Sequence, residues 1–168
     1  LNHVNVVLCC DPKAFLHTNP LEGLHEGGVF VFESNEEPEK AWQRIPKKYR
    51  KEILEKNIKF YILHGFEIAK HATDREDLQY RMQGNAFLGA FFRVSTLLDE
   101  YHTPEEEFLK IVRKQYEKKF GKLGVSVIDS NMKIMQEGFE NVIEVKVKDL
   151  EAPDRSTMSA SLTLPCNV

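Results

Sequence analysis

Three short apolar runs divide the first half of the chain, and they constrain its fold more than any other feature. Residues 4–10, 29–32 and 58–63 are rich in β-branched and aromatic side chains with little polar alternation, which is typical of strands buried on both faces of a sheet. Helical stretches separate them, among them a charged segment at residues 47–56. This order predicts helices packed against a parallel sheet. We therefore expect an α/β fold, a three-layer α/β/α and Rossmann-like domain with a mainly parallel sheet.

Three capping-box patterns predict where helices begin. Residues 34–37, 73–76 and 103–106 each carry Ser or Thr followed three positions later by Glu. In this motif the hydroxyl accepts a hydrogen bond from the first turn of the helix. Pro104 strengthens the third case, because proline favours the first helical position.

The second half of the chain is predicted to be mainly helical. A long helix is predicted there, and its middle, residues 86–92, is apolar on every side, which is typical of a helix that is buried all round. Gly84 and Gly89 are expected to permit close packing of this helix against its neighbours. A later amphipathic helix is expected to end at Gly138, and residues 142–147 are predicted to form a further strand.

The chain begins with Leu1 and enters an apolar run within its first residues. We interpret it as a fragment of a longer polypeptide. Residues 1–148 are expected to form one domain. Residues 149–168 are small and polar, and we interpret them as a linker or C-terminal extension.

Composition narrows the range of partners and compartments. A net charge of -3 and the mixing of Lys and Arg with Glu disfavour nucleic acid as the main partner. No apolar run is long enough to predict a membrane span. The 3 cysteines lack metal-ligand spacing, so we expect free thiols and a cytoplasmic location.

The predicted carboxyl ends of the strands supply the best candidate site. Ligands of open α/β sheets bind in the crevice beyond these ends. The ends of the three predicted strands supply Cys10 and Asp11, then Glu33, Ser34 and Asn35, and then His64 and Gly65. Turn formation or helix capping is the alternative role for Asp11 and Ser34. His64 has two open roles, as a general base or as a donor to a backbone carbonyl.

No complete catalytic set or metal site is predicted from the residues alone. Glu22, His25 and Glu26 have helical spacing but not the pattern of a zinc site, so we interpret them as a solvated helix end. Cys9 and Cys10 are adjacent on a strand and point to opposite faces, so they cannot chelate one ion together. We expect both to be small core residues.

The helix at residues 81–92 contains the sequence G-N-A-F-L-G-A, beginning at Gly84 and Asn85. With the ordered elements around it, over residues 4–148, the sequence resembles the gamma domain (domain III) of the pyruvate or 2-oxoacid:ferredoxin (flavodoxin) oxidoreductases. The family's glycine-rich strand and loop, which would precede this region, is absent from the chain.

This resemblance implies a part in oxidative decarboxylation of a 2-oxoacid with coenzyme A, giving acyl-CoA, carbon dioxide and reduced ferredoxin or flavodoxin. Thiamine diphosphate, Mg and iron–sulfur clusters would be held by other domains or subunits. The gamma domain would pack against them and shape the approach of coenzyme A. Gly84 and Asn85 are carried over as contributors to that approach or to a domain interface, not as catalytic residues. Asn85 could equally satisfy a neighbouring carbonyl group.

Two other functions remain open at this stage. A free-standing Rossmann-like nucleotide-binding domain would bind a nucleotide tightly in the sheet crevice. A non-catalytic interaction or scaffold domain would expose a large apolar patch and bind no small ligand.

Overall fold

The computed structural model describes residues 5–151, which form a four-stranded sheet covered by helices on both faces. The strands lie in the order β1 (Val6–Cys9), β2 (Val29–Glu33), β3 (Lys59–Leu63) and β4 (Ile143–Val145). β1, β2 and β3 are parallel, and β4 is antiparallel to β3. The predicted α/β fold with a mainly parallel sheet is therefore confirmed.

Helices make up most of the rest of the described chain. Residues 5–151 contain no helix that is both long enough and apolar enough to cross a membrane. Short 3-10 helices occur at Ala14–Leu16 and Gly121–Leu123. The α-helices are α1 (Pro38–Arg44), α2 (Lys47–Glu55), α3 (Gly65–Ala72), α4 (Glu76–Val94), α5 (Leu97–Glu100), α6 (Glu105–Phe120), α7 (Val125–Asn141) and α8 (Val147–Leu150).

β2 lies at the centre of the three layers and is buried along its whole length. Because successive side chains of a strand point to opposite faces, β2 serves two separate cores. Phe30 and Phe32 pack with Trp42 and the other apolar residues of α1 and α2. Val29 and Val31 pack on the opposite face against α4. A continuous apolar strand is thus needed at this position, as the sequence pattern predicts.

β1 is an edge strand, so the prediction that it is fully buried is wrong. Among the described residues it pairs only with β2. Val6 and Val7 are half-buried, and Leu8 is 37% exposed. An apolar run does not distinguish a central strand from an edge strand, because the pattern carries no information about its neighbours.

α4 and α7 approach until their backbones touch. A Cβ atom added at Gly89 would overlap the backbone of Met135, and one added at Gly138 would overlap the backbone of Ala86. Close packing through Gly89 is thus confirmed. Gly84 has open space around it, so the same expectation is wrong there. The predicted helix end at Gly138 is also wrong, because α7 continues to Asn141.

The three predicted capping boxes do not form. α1, α4 and α6 begin at Pro38, Glu76 and Glu105, and none has a side-chain cap. The Thr73 hydroxyl accepts a hydrogen bond from the Arg75 N–H at 3.2 Å, which uses it in a turn before the helix. Local turns thus compete with capping for these hydroxyl groups.

The folded region continues through the beginning of the expected linker. α8 includes Leu150, and the Glu151 carboxylate accepts a hydrogen bond from the Trp42 indole N–H at 2.7 Å. The remainder of the expected extension, residues 152–168, lies outside the described residues.

The contact between α4 and α7 predicts opposite effects for two glycine substitutions in α4. Gly89→Ala should lower the free energy of unfolding by about 1–3 kcal/mol, because the added methyl group forces the helices apart. Gly84→Ala is the matched control, and it should raise that free energy by about 0.5–1 kcal/mol because alanine favours a helix more than glycine does. Urea denaturation of the two variants measures both values. Equal effects at the two positions would contradict the close contact.

Candidate functional site at the carboxyl edge of the sheet

The carboxyl ends of β1, β2 and β3 lie side by side, since Cys9 pairs with Phe32 and Glu33 pairs with Leu63. The segments that follow these strands therefore meet at one edge of the sheet. This register brings the segments carrying the predicted residues Asp11, Ser34, Asn35 and His64 to that edge.

Two hollows open at this edge, separated by Pro12, Glu33, Ser34 and Asn35, which line both. The first has a volume of about 390 Å³ and lies against α3 and α4. The second has a volume of about 330 Å³ and lies between the first 3-10 helix and α1. The first hollow is also lined by Phe66, Glu67, Lys70, Glu76, Gln79 and Tyr80.

Glu33 is the central polar residue of the edge. The sequence placed it at a strand end but did not predict its burial or its hydrogen-bond partners. Its side chain is buried, with the residue 2% exposed. The carboxylate accepts hydrogen bonds from the backbone N–H groups of Gly65 and Phe66, each at 2.8 Å. These are the first amides of α3, where helices commonly bind anions. Glu33 therefore occupies the amino end of α3 with a carboxylate from the protein itself.

Two opposing effects act on the pKa of Glu33. Burial favours the neutral acid, whereas the hydrogen bonds from Phe66, Gly65 and Gln83 favour the carboxylate. Burial dominates and raises the pKa from the ordinary value of 4.5 to about 7. Glu33 can thus change protonation state near neutral pH while remaining inside the fold.

Gln83 of α4 connects this carboxylate to Cys10, the residue that follows β1. Its side-chain amide donates a hydrogen bond to the Cys10 carbonyl oxygen at 2.8 Å. Gly65 fits between these groups, because a Cβ atom there would lie 2.8 Å from the Glu33 carboxylate and 3.0 Å from the Phe87 ring. We call Cys10, Glu33, Gly65, Phe66 and Gln83 the Glu33 cluster. It fastens three strand ends and two helices to one another.

The predicted edge residues mostly make local hydrogen bonds. The Asp11 carboxylate accepts from the Lys13 N–H at 2.9 Å, and the Ser34 hydroxyl accepts from the Glu36 N–H at 3.1 Å. His64 Nε2 donates to the Glu36 carbonyl oxygen at 3.1 Å. Asp11 and Ser34 thus have the turn-forming role given above as their alternative. His64 has the role of a donor to a backbone carbonyl.

Asn35 combines two properties that Asp11, Ser34 and His64 do not share: Asp11 is exposed but lines neither hollow, and Ser34 lines both but is buried. Asn35 is exposed and lines both hollows. Its amide is therefore the predicted edge group that is most accessible to a ligand.

Asn85 and Gly84 do not join the edge. Asn85 lies two positions from Gln83, so its side chain points away from the Cys10 side of α4. It donates to the Asn131 side chain, and the Tyr116 hydroxyl donates to Asn85 at 3.4 Å. Asn85 thereby links α4 with α6 and α7, while Gly84 is exposed on α4.

The two cysteines of β1 and the loop after it are poor nucleophiles at neutral pH. Burial raises the pKa of the Cys9 thiol to about 11. The pKa of the Cys10 thiol is also raised, first by partial desolvation and then by the nearby Glu33 carboxylate. Cys9 is buried as expected, but Cys10 is exposed, so its expected place in the core is wrong.

Residues 5–151 provide no set of ligands for Mg or for an iron–sulfur cluster, the metal groups that the family resemblance implies. Residues 5–151 contain no group of three or more His, Cys, Asp or Glu side chains placed to hold a metal ion. Mg and an iron–sulfur cluster therefore do not fit the described residues, and no chemical step is assigned to either group within them.

The pKa of Glu33 predicts how stability depends on pH. Because the folded-state pKa of about 7 exceeds the ordinary 4.5, the folded state binds the proton more tightly than the unfolded state. The free energy of unfolding should therefore fall as pH rises between these values, by up to about 3 kcal/mol. Glu33→Gln should remove this slope, whereas Glu39→Gln, at an exposed position of α1, should retain it. Urea denaturation across this pH range measures the difference, and parallel curves for the wild type and Glu33→Gln would contradict the assignment.

Comparison with known proteins identifies relatives by their sequences. The family model for pyruvate ferredoxin/flavodoxin oxidoreductase matches residues 1–141. The chain is 26% identical over 147 residues to a pyruvate-flavodoxin oxidoreductase of Trichormus variabilis, covering 87% of this chain and 12% of that protein. It is 25% identical over 146 residues to the pyruvate:ferredoxin oxidoreductase of Moorella thermoacetica, again covering 87% of this chain and 12% of the relative. The chain thus spans only a small part of the relatives it matches.

A solved structure shows the same fold. The crystal structure of pyruvate oxidoreductase subunit PORC from Thermotoga maritima matches with a TM-score of 0.57 and 22% sequence identity, covering 84% of this chain and 65% of that one. The match covers the helix at residues 81–92 and the elements around it, so the resemblance inferred from their order is confirmed. The chain belongs to the pyruvate ferredoxin/flavodoxin oxidoreductase family.

Proposed function

We propose that this chain is the gamma domain of a 2-oxoacid:ferredoxin oxidoreductase. Such an enzyme oxidatively decarboxylates a 2-oxoacid such as pyruvate with coenzyme A. The products are an acyl-CoA, carbon dioxide and reduced ferredoxin or flavodoxin. The family match over residues 1–141 is the observation that supports this proposal most directly.

The domain works by packing against the parts of the enzyme that bind thiamine diphosphate and by shaping the approach of coenzyme A. As the family resemblance implies, thiamine diphosphate, Mg and iron–sulfur clusters belong to those other parts. The enzyme acts in the cytoplasm. Asn85 and Gly84 support this role from the helical layer, where Asn85 joins α4 to α7.

The hollow between α3 and α4 suits one portion of coenzyme A better than the others. Glu33, Glu67 and Glu76 line it with a single lysine, Lys70. These carboxylates disfavour the phosphate groups of coenzyme A, and Glu33 already occupies the amides at the start of α3. The uncharged pantetheine arm carries amide groups, which the exposed Asn35 amide can hydrogen-bond. We therefore assign the arm, not the diphosphate, to this hollow.

Purification of the parent protein through a tag on this chain tests the proposed activity. The preparation is expected to reduce methyl viologen when both pyruvate, or another 2-oxoacid, and coenzyme A are present. Omission of coenzyme A should abolish most of the rate. Tight NAD binding by the 168-residue chain, together with no 2-oxoacid oxidation, would instead support a nucleotide-binding Rossmann-like domain.

The assignment of the hollow predicts a selective kinetic effect. In the same enzyme, Asn35→Ala should raise the KM for coenzyme A about threefold to tenfold, the loss expected for one hydrogen bond. The KM for the 2-oxoacid should change little. Asn141→Ala is the matched control, because Asn141 is exposed at the end of α7 and donates to the Glu137 carbonyl oxygen. An unchanged KM for coenzyme A in Asn35→Ala would contradict the assignment of the pantetheine arm to this hollow. It would not contradict the proposed activity.

A further inference from the structure

The second half of α6 and the turn after it carry a concentration of positive charge. Residues 110–122 contain five lysines, one arginine and one glutamate, a net charge of +5, whereas the whole chain has a net charge of -3. The rest of the chain is therefore clearly acidic. A second basic run lies at residues 44–51, where Arg44 and Arg50 form ion pairs with Glu36 and Glu151.

The helix places most of these lysines on one exposed face. Lys110, Lys114 and Lys118 recur every four residues, so they lie along one side of α6. The opposite side is buried through Phe108, Val112 and Tyr116. The positive charge is thus directed away from the core.

An apolar residue lies within this charged surface. Ile111 is 49% exposed. It lines a shallow hollow of about 380 Å³ together with Lys114, Gln115, Glu117 and Lys118, and the Glu117 carboxylate is paired with Arg113. We call Lys110, Ile111, Lys114, Gln115 and Lys118 the lysine face. Its side chains form an apolar centre with charged groups around it, which is the arrangement of many protein interfaces.

The lysines of this face are not used inside the domain. Within residues 5–151, the ion pairs of the segment involve Arg113, with Glu117 at 3.5 Å and Asp129 at 2.8 Å, and none of its five lysines. In α2, by contrast, Lys56 pairs with Glu52 at 2.8 Å.

The helix macrodipole explains only part of the pattern. Lysines in the last turn of α6 stabilise the negative end of the dipole, an effect that decays within one turn. Lys118 and Lys119 lie in that turn. Lys110 and Lys114 lie too far from the end of the helix to contribute to it.

We propose that the lysine face is a docking surface for an acidic protein. Lysine ammonium groups attract carboxylates at long range and orient an approaching partner, while Ile111 supplies the apolar contact at the centre. A nucleic acid fits less well, because the face has no exposed aromatic ring for base stacking. The inference goes beyond the proposed oxidoreductase role and does not depend on it.

The test uses the full 168-residue chain and two fluorescein-labelled probes, an oligomer of L-glutamate and a copolymer of glutamate and leucine. Fluorescence anisotropy at low salt should detect binding of both probes, and added salt should weaken it. Lys114→Glu combined with Lys118→Glu should lower the affinity about tenfold or more. Ile111→Ser should weaken binding of the copolymer but not of oligoglutamate.

The control is a pair with the same change in net charge on other helices, Lys133→Glu combined with Lys148→Glu. Both positions are exposed and neither belongs to the lysine face, so this variant should lower the affinity much less than the Lys114 and Lys118 pair. Circular dichroism and thermal unfolding verify that all variants fold. If a charge-reversed variant does not fold, Lys114→Gln combined with Lys118→Gln replaces it.

Three outcomes would overturn the proposal. They are absence of binding at low salt, an equal loss in the control variant, and tighter binding to polyuridylate or to phosphatidylserine vesicles than to either acidic probe. The last outcome would reassign the face to a nucleic acid or to a membrane surface. None of these measurements uses oxidoreductase activity, so the proposed function is tested separately.

Discussion

The rest of the domain depends on the backbone contact between α4 and α7. Gly89 and Gly138 have no side chains, so the two helices approach as closely as their main chains allow. This contact holds α4 between the sheet and α7, where Ala86, Phe87 and Ala90 cover one face of β2. It therefore also fixes the position from which Gln83 reaches the end of β1.

Glu33 is the buried acid on which both the structure and the chemistry of the site depend. Parallel α/β sheets usually leave the amides at a helix start available to ligands, but here the Glu33 carboxylate accepts their hydrogen bonds. Burial makes ionisation of this group costly, whereas the amides make it favourable. The same residue thus supports the crevice and limits the chemical groups that can enter it.

Local patterns in the sequence predicted the strands and most of the helices. They did not predict contacts between residues that are far apart in the chain. The apolar runs predicted β1, β2 and β3 because strands have a local signature. The burial and the role of Glu33 were not predicted because its partners Gly65 and Phe66 lie more than thirty residues away, so in the sequence it is only one of several polar residues at a strand end. Gly138 resembled a helix end because glycine often occurs there, and only the tertiary contact with Ala86 explains it. α3 was not predicted, since it is short and has no side-chain cap.

Asn85 illustrates the same limit for the candidate site. Its pattern is recognisable in sequence, but its direction depends on Asn131 of α7 and Tyr116 of α6. Among the predicted edge residues, the sheet order alone was enough to bring Asp11, Ser34, Asn35 and His64 to one edge, because parallel strands share an orientation. Which of them faces solvent was decided by turns that the sequence does not specify uniquely.

The packing also determines which wall of the crevice can move. α4 and α7 behave as one rigid body, because neither can slide without a collision between main chains at Gly89 and Gly138. α3 is a helix of 8 residues that is fastened at its first turn by the Glu33 carboxylate. Widening the crevice on the side of α3 would therefore require breaking the hydrogen bonds that the Glu33 carboxylate accepts from Gly65 and Phe66.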